Sequence, residues 1–180
     1  PGGMGLGATQ AQADGHSKVF EVKHAWASDY HPDSCNTYES NVGHGHGTVH
    51  LGDVHHLDLE KLGSIDAFAY GFPCNDFSLV GEQKGINGKF GPLYSYGVEV
   101  LNLYSPRFFV AENVGGITSA NEGKAFSSIL EALSKAGKSG YNLTAHKYKA
   151  EEYGVPQTRH RVIIVGIANS ENVSYKVPAP

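Results

Sequence analysis

Phe108-Phe109-Val110-Ala111, running directly into Glu112-Asn113-Val114, is the stretch on which the fold of this chain turns. Four apolar residues without polar alternation predict a parallel strand buried on both faces. Outward from it, apolar runs alternate with helical patterns. Upstream, Gly91 to Tyr104 reads as a helix and Ile65 to Tyr70 as a strand. Downstream, Gly123 to Ala136 reads as an amphipathic helix with Phe126, Ile129, Leu130 and Leu133 on one side. Tyr141 to Tyr148 and Arg161 to Ile167 read as the last strands. Towards the start, a helix over Met4 to Ala13 is entered through Pro1-Gly2-Gly3, and Lys23 to Ser28 is a strand. His31-Pro32-Asp33 opens a further helix, with Pro32 tolerated in its first turn. This alternation predicts an α/β fold with a doubly wound, mostly parallel sheet.

Composition narrows the class. The 180 residues fit one domain, and 40% hydrophobic with 18% charged residues is ordinary for a soluble globular protein. The longest apolar runs are far too short to cross a bilayer, and no secretion signal opens the chain. Two cysteines, Cys35 and Cys74, without a CxxC pair predict a reducing, cytoplasmic setting. A net charge of −4 excludes a protein that grips nucleic acid by bulk charge alone. The histidine cluster Gly43-His44-Gly45-His46-Gly47, with His55 and His56, has no partner set for tetrahedral ligation, so no metal is expected.

The chemistry-bearing residues lie at strand ends. Gly71-Phe72-Pro73-Cys74-Asn75-Asp76-Phe77-Ser78 follows the strand ending at Tyr70. In open α/β sheets, ligands bind at the carboxyl ends of strands. A cysteine there, behind a rigid proline, is placed for nucleophilic work. Glu112-Asn113-Val114 follows the second apolar strand, so its carboxylate is expected at the same sheet edge as Cys74. Gln157-Thr158-Arg159-His160-Arg161 precedes the final strand. Taken singly, each has an ordinary explanation: a buried structural thiol, a loop carboxylate, solvated arginines. In this order, each flanking a strand, they become specific.

In these three motifs and the Pro1-Gly2-Gly3-Met4-Gly5 opening, the chain resembles the cytosine-C5 DNA methyltransferase family, from Pro1 to about Gly166. The resemblance implies a Rossmann-like, S-adenosylmethionine-dependent methyltransferase domain over residues 1–168, with 169–180 as a linker towards a recognition region. The implied reaction is methyl transfer from S-adenosylmethionine, giving S-adenosylhomocysteine, to C5 of a cytosine flipped out of duplex DNA. Cytosine C5 is a poor nucleophile until a thiolate adds to C6. Cys74 is the implied nucleophile. Glu112 is implied at ring N3, where a carboxyl group shares a proton. Arg161 is implied at O2, with Arg159 beside it. Phe72, Asn75, Ser78, Asn113 and Gln157 are implied on the substrate side, and Lys84 and Lys89 at phosphates in a closing loop over Leu79 to Gly91. For the cofactor, the resemblance implies Gly2 and Gly3 at its amino-acid part, and Asp29 at the ribose with Tyr30 over adenine. Asp53 and Val54 are implied at the adenine amine, with Pro73 and Leu93 lining the pocket. Asn75 stands where the family usually has Gln, and both carry an amide. The first strand of the family fold is expected ahead of Pro1.

Three other readings remain open on sequence alone. One is the RNA-acting branch of the same family. Another is a partial subunit that needs a partner chain. The third, a cysteine hydrolase, gives no account of Glu-Asn-Val or of the twin arginines. A role as the modification enzyme of a restriction system is a family-level expectation.

Overall fold

Gly2, the first residue described, already shows why the chain opens on glycines. It has a left-handed backbone (φ 84°), and a side chain there would press on the ring of Tyr38. At Gly5 a Cβ would lie 2.5 Å from the Tyr38 hydroxyl, so only glycine admits this helix against Tyr38. The computed structural model describes residues 2–11, 21–45, 47–72, 93–118 and 123–180. The chain divides into two compact units, residues 1–63 and 64–180.

In the first unit, α1 (Gly3–Thr9) is followed by β1 (Ala27–Asp29), α2 (Pro32–Tyr38) and β2 (Val49–Leu51). β1 and β2 pair in parallel, Asp29 opposite Leu51, so β1-α2-β2 is a crossover unit. α2 starts as its sequence dictates. His31 is extended, Pro32 occupies the first turn, and Asp29 Oδ1 accepts the His31 N–H at 2.8 Å. Cys35 is the buried residue of this helix. The expected first strand is shorter and later than Lys23 to Ser28, and α1 ends at Thr9. β2 was not legible in the sequence: three residues among glycines and histidines give too little periodicity.

The second unit holds a four-stranded sheet in the order β3 (Ala67–Gly71), β4 (Phe108–Val114), β6 (His160–Ala168), β5 (Tyr141–Lys149). β3 and β4 are parallel, while β6 runs antiparallel to both its neighbours. Three of the four strands therefore share one direction, which is the mostly parallel α/β sheet expected. β4 is longer than its apolar start and carries Glu112-Asn113-Val114 within the strand.

α3 (Tyr94–Tyr104) and α4 (Lys124–Lys135) complete this unit, and Leu101, Ile129 and Leu133 join Phe109, Ala111, Val162 and Ile164 in its core. On α4, Ile129 and Leu133 are fully buried, with Phe126 and Leu130 packed beside them, as the 3.6-residue period requires. One expectation about β4 is corrected. Its burial alternates: Phe109, Ala111 and Asn113 are buried, while Phe108 is 38% exposed and Val110 is half-buried. Among the described residues, α3 and α4 pack on the face that carries Phe109 and Ala111. The tail beyond β6 returns along this sheet. Thr144 Oγ1 donates to the Tyr175 carbonyl at 3.2 Å, and Tyr153 donates to the Pro178 carbonyl at 3.0 Å. Tyr175 and Tyr148 border an apolar hollow of about 350 Å³ over Phe108, Val110, Ile163, Val165 and Ile167.

Gly166 on β6 sits against Phe109, and a Cβ there would lie 2.1 Å from the ring. Phe109 is fully buried and has nowhere to move. Gly166→Ala should therefore destabilise the protein by about 1–3 kcal/mol or more through overpacking. Urea unfolding checks this as a lowered midpoint at unchanged m-value.

Candidate active site

Strand register assembles the site. Gly71, the last residue of β3, pairs with Glu112 on β4, and Phe72 N–H reaches the Glu112 carbonyl at 3.4 Å. On the other side of β4, Val114 pairs with Arg161 and Glu112 with Ile163. Directly opposed residues of an antiparallel pair share a face, so Glu112 and Arg161 are diagonal neighbours on one face. Arg161 Nε lies 2.6 Å from Glu112 Oε1, both side chains being about one-quarter exposed. Arg161 Nη1 also donates to the His160 carbonyl at 2.7 Å. Two anchors fix the guanidinium plane in space. The second carboxylate oxygen, Glu112 Oε2, lies over Gly71, 3.4 Å from where a Cβ would stand. A paired carboxylate and a fixed cation thus border the point where the chain leaves β3.

Asn113 points to the opposite face and is 2% exposed. Its Nδ2 donates to the Phe72 carbonyl at 2.9 Å, and its Oδ1 accepts the Val114 N–H at 2.7 Å. Asn113 was expected on the substrate side. Buried and engaged at both ends of its amide, it tethers the backbone that leads towards Pro73. Phe72 was expected there too, and its ring is buried. At 6% exposure it packs between Tyr70 and Tyr94 and belongs to the core.

Arg159 and Gln157 lie exposed on the turn that joins β5 to β6. Leu93 caps the start of α3 and is half-buried. Pro73, Cys74, Asn75, Ser78, Lys84, Lys89 and the expected loop over Leu79 to Gly91 lie outside the described residues.

The first unit gathers the other set of expected residues. Gly52 N–H donates to the Asp29 carbonyl at 3.0 Å, so the carboxyl ends of parallel β1 and β2 are adjacent. Asp29 and Tyr30 leave one strand, and Gly52, Asp53 and Val54 leave the other. Both carboxylates are exposed, and the Tyr30 ring is 78% exposed. Asp53 Oδ1 accepts the His55 backbone N–H at 3.0 Å and meets the His55 ring. These bonds, the backbone one foremost, hold the Asp53 carboxyl below the usual range. Nothing stands within 4 Å of a Cβ at Gly3, so that backbone is open to close approach. Two acceptor carboxylates and an exposed ring at one sheet edge suit a ligand with hydroxyls, an amine and a flat base. Among the described residues, no group of three or more His, Cys, Asp or Glu side chains could hold a metal ion. No described helix is long and apolar enough to cross a membrane.

The family model for C-5 cytosine-specific DNA methylases matches residues 1–180. The chain is 54% identical over its whole length to the type II methyltransferase M.BbvI of Brevibacillus brevis, covering 50% of that protein. It is 33% identical over 99% of its length to the type II methyltransferase M.NgoFVII of Neisseria gonorrhoeae, covering 44% of that protein. The crystal structure of a DNA modification methyltransferase encoded within an E. coli prophage superposes with a TM-score of 0.66 at 25% identity. That match covers 95% of this chain and 45% of the other. S. pombe Dnmt2 methyltransferase shares the fold, with a TM-score of 0.59 at 20% identity, over 87% of this chain and 45% of that one. The fold is that of the S-adenosylmethionine-dependent methyltransferases. This chain belongs to the C-5 cytosine-specific DNA methylase family, and it spans about half the length of the curated relatives it matches.

Proposed function

We propose that this chain is the catalytic part of an enzyme that methylates C5 of a cytosine extruded from duplex DNA, as the modification half of a restriction system. The observation that carries the reading is the Glu112–Arg161 ion pair at the exit of β3, two residues ahead of Pro73-Cys74 in sequence. A carboxyl group and a fixed cation at that edge suit a pyrimidine ring that gains electron density. The Cys74 thiolate adds to C6 of the base and forms a carbon–sulfur bond. Electron density moves towards N3 and O2. Glu112 meets N3 and supplies a proton, while the free donors of Arg161 meet O2. C5 then carries nucleophilic electron density. Bound S-adenosylmethionine supplies the electrophilic methyl group. The C5 proton finally passes to water, the Cys74 thiolate leaves C6, and N3 returns its proton to Glu112, restoring the aromatic ring and the free enzyme.

The residues of the first unit fit that cofactor. Asp29 would accept from the ribose hydroxyls, Tyr30 would cover adenine, and Asp53, with Val54, would receive its amine. Gly2 and Gly3 would lie along its amino-acid part, and Pro73 and Leu93 would line the pocket. Asn75, Ser78, Gln157, Lys84 and Lys89 belong to the DNA side. The net charge of −4 leaves much of the phosphate contact to other parts of the enzyme.

Duplex DNA carrying 5-fluorocytosine at the target tests this. With fluorine at C5 no proton can leave, so the adduct should persist. The full-length protein with S-adenosylmethionine should give a protein–DNA band resistant to denaturation. DNA binding without any such band overturns the covalent mechanism.

A further inference from the structure

The turn that delivers Arg159 and Arg161 is stapled by a side chain that the chemistry above does not use. β5 ends at Lys149 and β6 begins at His160, and the two are register partners, as are Tyr148 and Arg161. Residues 150–159 close that end of the hairpin. Glu151, early in this turn, reaches across it with both carboxylate oxygens. Oε2 accepts the Arg159 N–H at 3.3 Å, and Oε1 lies 2.8 Å from His160 Nε2. Beside it, Ala150 N–H donates to the Arg159 carbonyl at 2.9 Å, and Val155 N–H donates to the Ala150 carbonyl at 3.2 Å. His160 passes the restraint on, because its carbonyl accepts from Arg161 Nη1 at 2.7 Å while Arg161 Nε holds Glu112. A continuous path thus runs Glu151–His160–Arg161–Glu112.

We propose that Glu151 is a positioning residue that sets the entry of β6, and with it the angle at which Arg161 meets Glu112. The inference rests on the reading of Arg161 and Glu112 as the groups that face the base. In a strand, successive side chains alternate between faces, so a shift of one residue at the start of β6 would carry Arg161 away from Glu112. Antiparallel pairs fray first at their ends, and Arg161 sits one residue from this end. A charged acceptor that takes both the 159 amide and the 160 ring counters that fraying where it matters. Glu151 and His160 are each about one-third exposed, so their pairing contributes little to global stability and its effect is local. The adjacent Glu152 does not substitute, because it is taken by Lys149 at 2.8 Å.

The test uses the full-length enzyme, with wild type first required to trap 5-fluorocytosine DNA. Failure of wild type overturns the methyltransferase reading itself. If wild type traps, E151A should lower kcat and the rate of adduct formation about tenfold, with KM for cofactor and DNA within about twofold, since misplacement of a transition-state group acts on kcat. E151Q should recover most of the loss, because its amide oxygen still accepts from the Arg159 N–H. The pair E151A/H160A should be no worse than E151A, since both act along one path. Wild-type kcat in E151A, or a loss in KM alone, overturns the proposal. Should E151A lose its fold, H160A decides. A kcat loss of about threefold or more at unchanged melting temperature supports the proposal, and none overturns it.

Discussion

Cys74→Ser is expected to lower methyl transfer by roughly 10³-fold or more while cofactor affinity, read by calorimetry with S-adenosylmethionine, stays near that of wild type. The two side chains are nearly the same size, so packing gives no reason for a loss. The difference is electronic. A thiol ionises within reach of neutral pH, and sulfur is soft enough to add to an electron-poor ring carbon. A serine hydroxyl has neither property. The same variant should give no denaturation-resistant band with 5-fluorocytosine DNA. A serine variant that methylates within about tenfold of wild type would remove Cys74 from the mechanism and leave only a noncovalent route.

The second large effect belongs to the ion pair. Arg161→Ala should cost about 10²–10³-fold in the single-turnover rate, the usual loss when a fixed donor to developing charge is removed. It also strips Glu112 Oε1 of the guanidinium 2.6 Å away, so the carboxylate is free to turn from the position it holds over Gly71. Glu112→Gln should cost a similar factor by removing the proton that N3 requires. Because the two side chains act as one unit, E112Q/R161A should lose much less than the product of the two single losses. Arg161→Lys should not rescue, since a lysine cannot hold Glu112 and the His160 carbonyl in one plane. A rate within about twofold of wild type in R161A would show that the pair serves structure alone.

Part of this site was legible residue by residue. Glu112 and Arg161 each adjoin an apolar run, and such runs end at a sheet edge, so their meeting at one edge was an expectation of α/β topology, while Cys74 lies outside the described residues. The strand–helix order was legible too: Phe108 to Ala111 is an unbroken apolar run, and the Phe126, Ile129, Leu130, Leu133 face carries a helical period openly. The packing of side chains whose partners are distant in sequence was not legible. Asn113 lies beside Glu112 in the chain, yet strand alternation sends it to the other face, where it holds the Phe72 carbonyl. Phe72 adjoins the proposed nucleophile, yet its ring fills the core against Tyr70 and Tyr94. Glu151 gives no signal in the sequence, because a glutamate in a turn is ordinarily solvated.

Sequence by itself determined the α/β class, the family, and the residue types that any cytosine-C5 chemistry demands, since these depend on local period and on the reactivity of thiol, carboxyl and guanidinium groups. Only tertiary structure decided which arginine grips Glu112, that β6 runs against its neighbours, and that Glu151 closes the turn behind it. Those outcomes depend on register, and register is fixed by packing and hydrogen bonds between segments far apart in the chain, which no local pattern encodes.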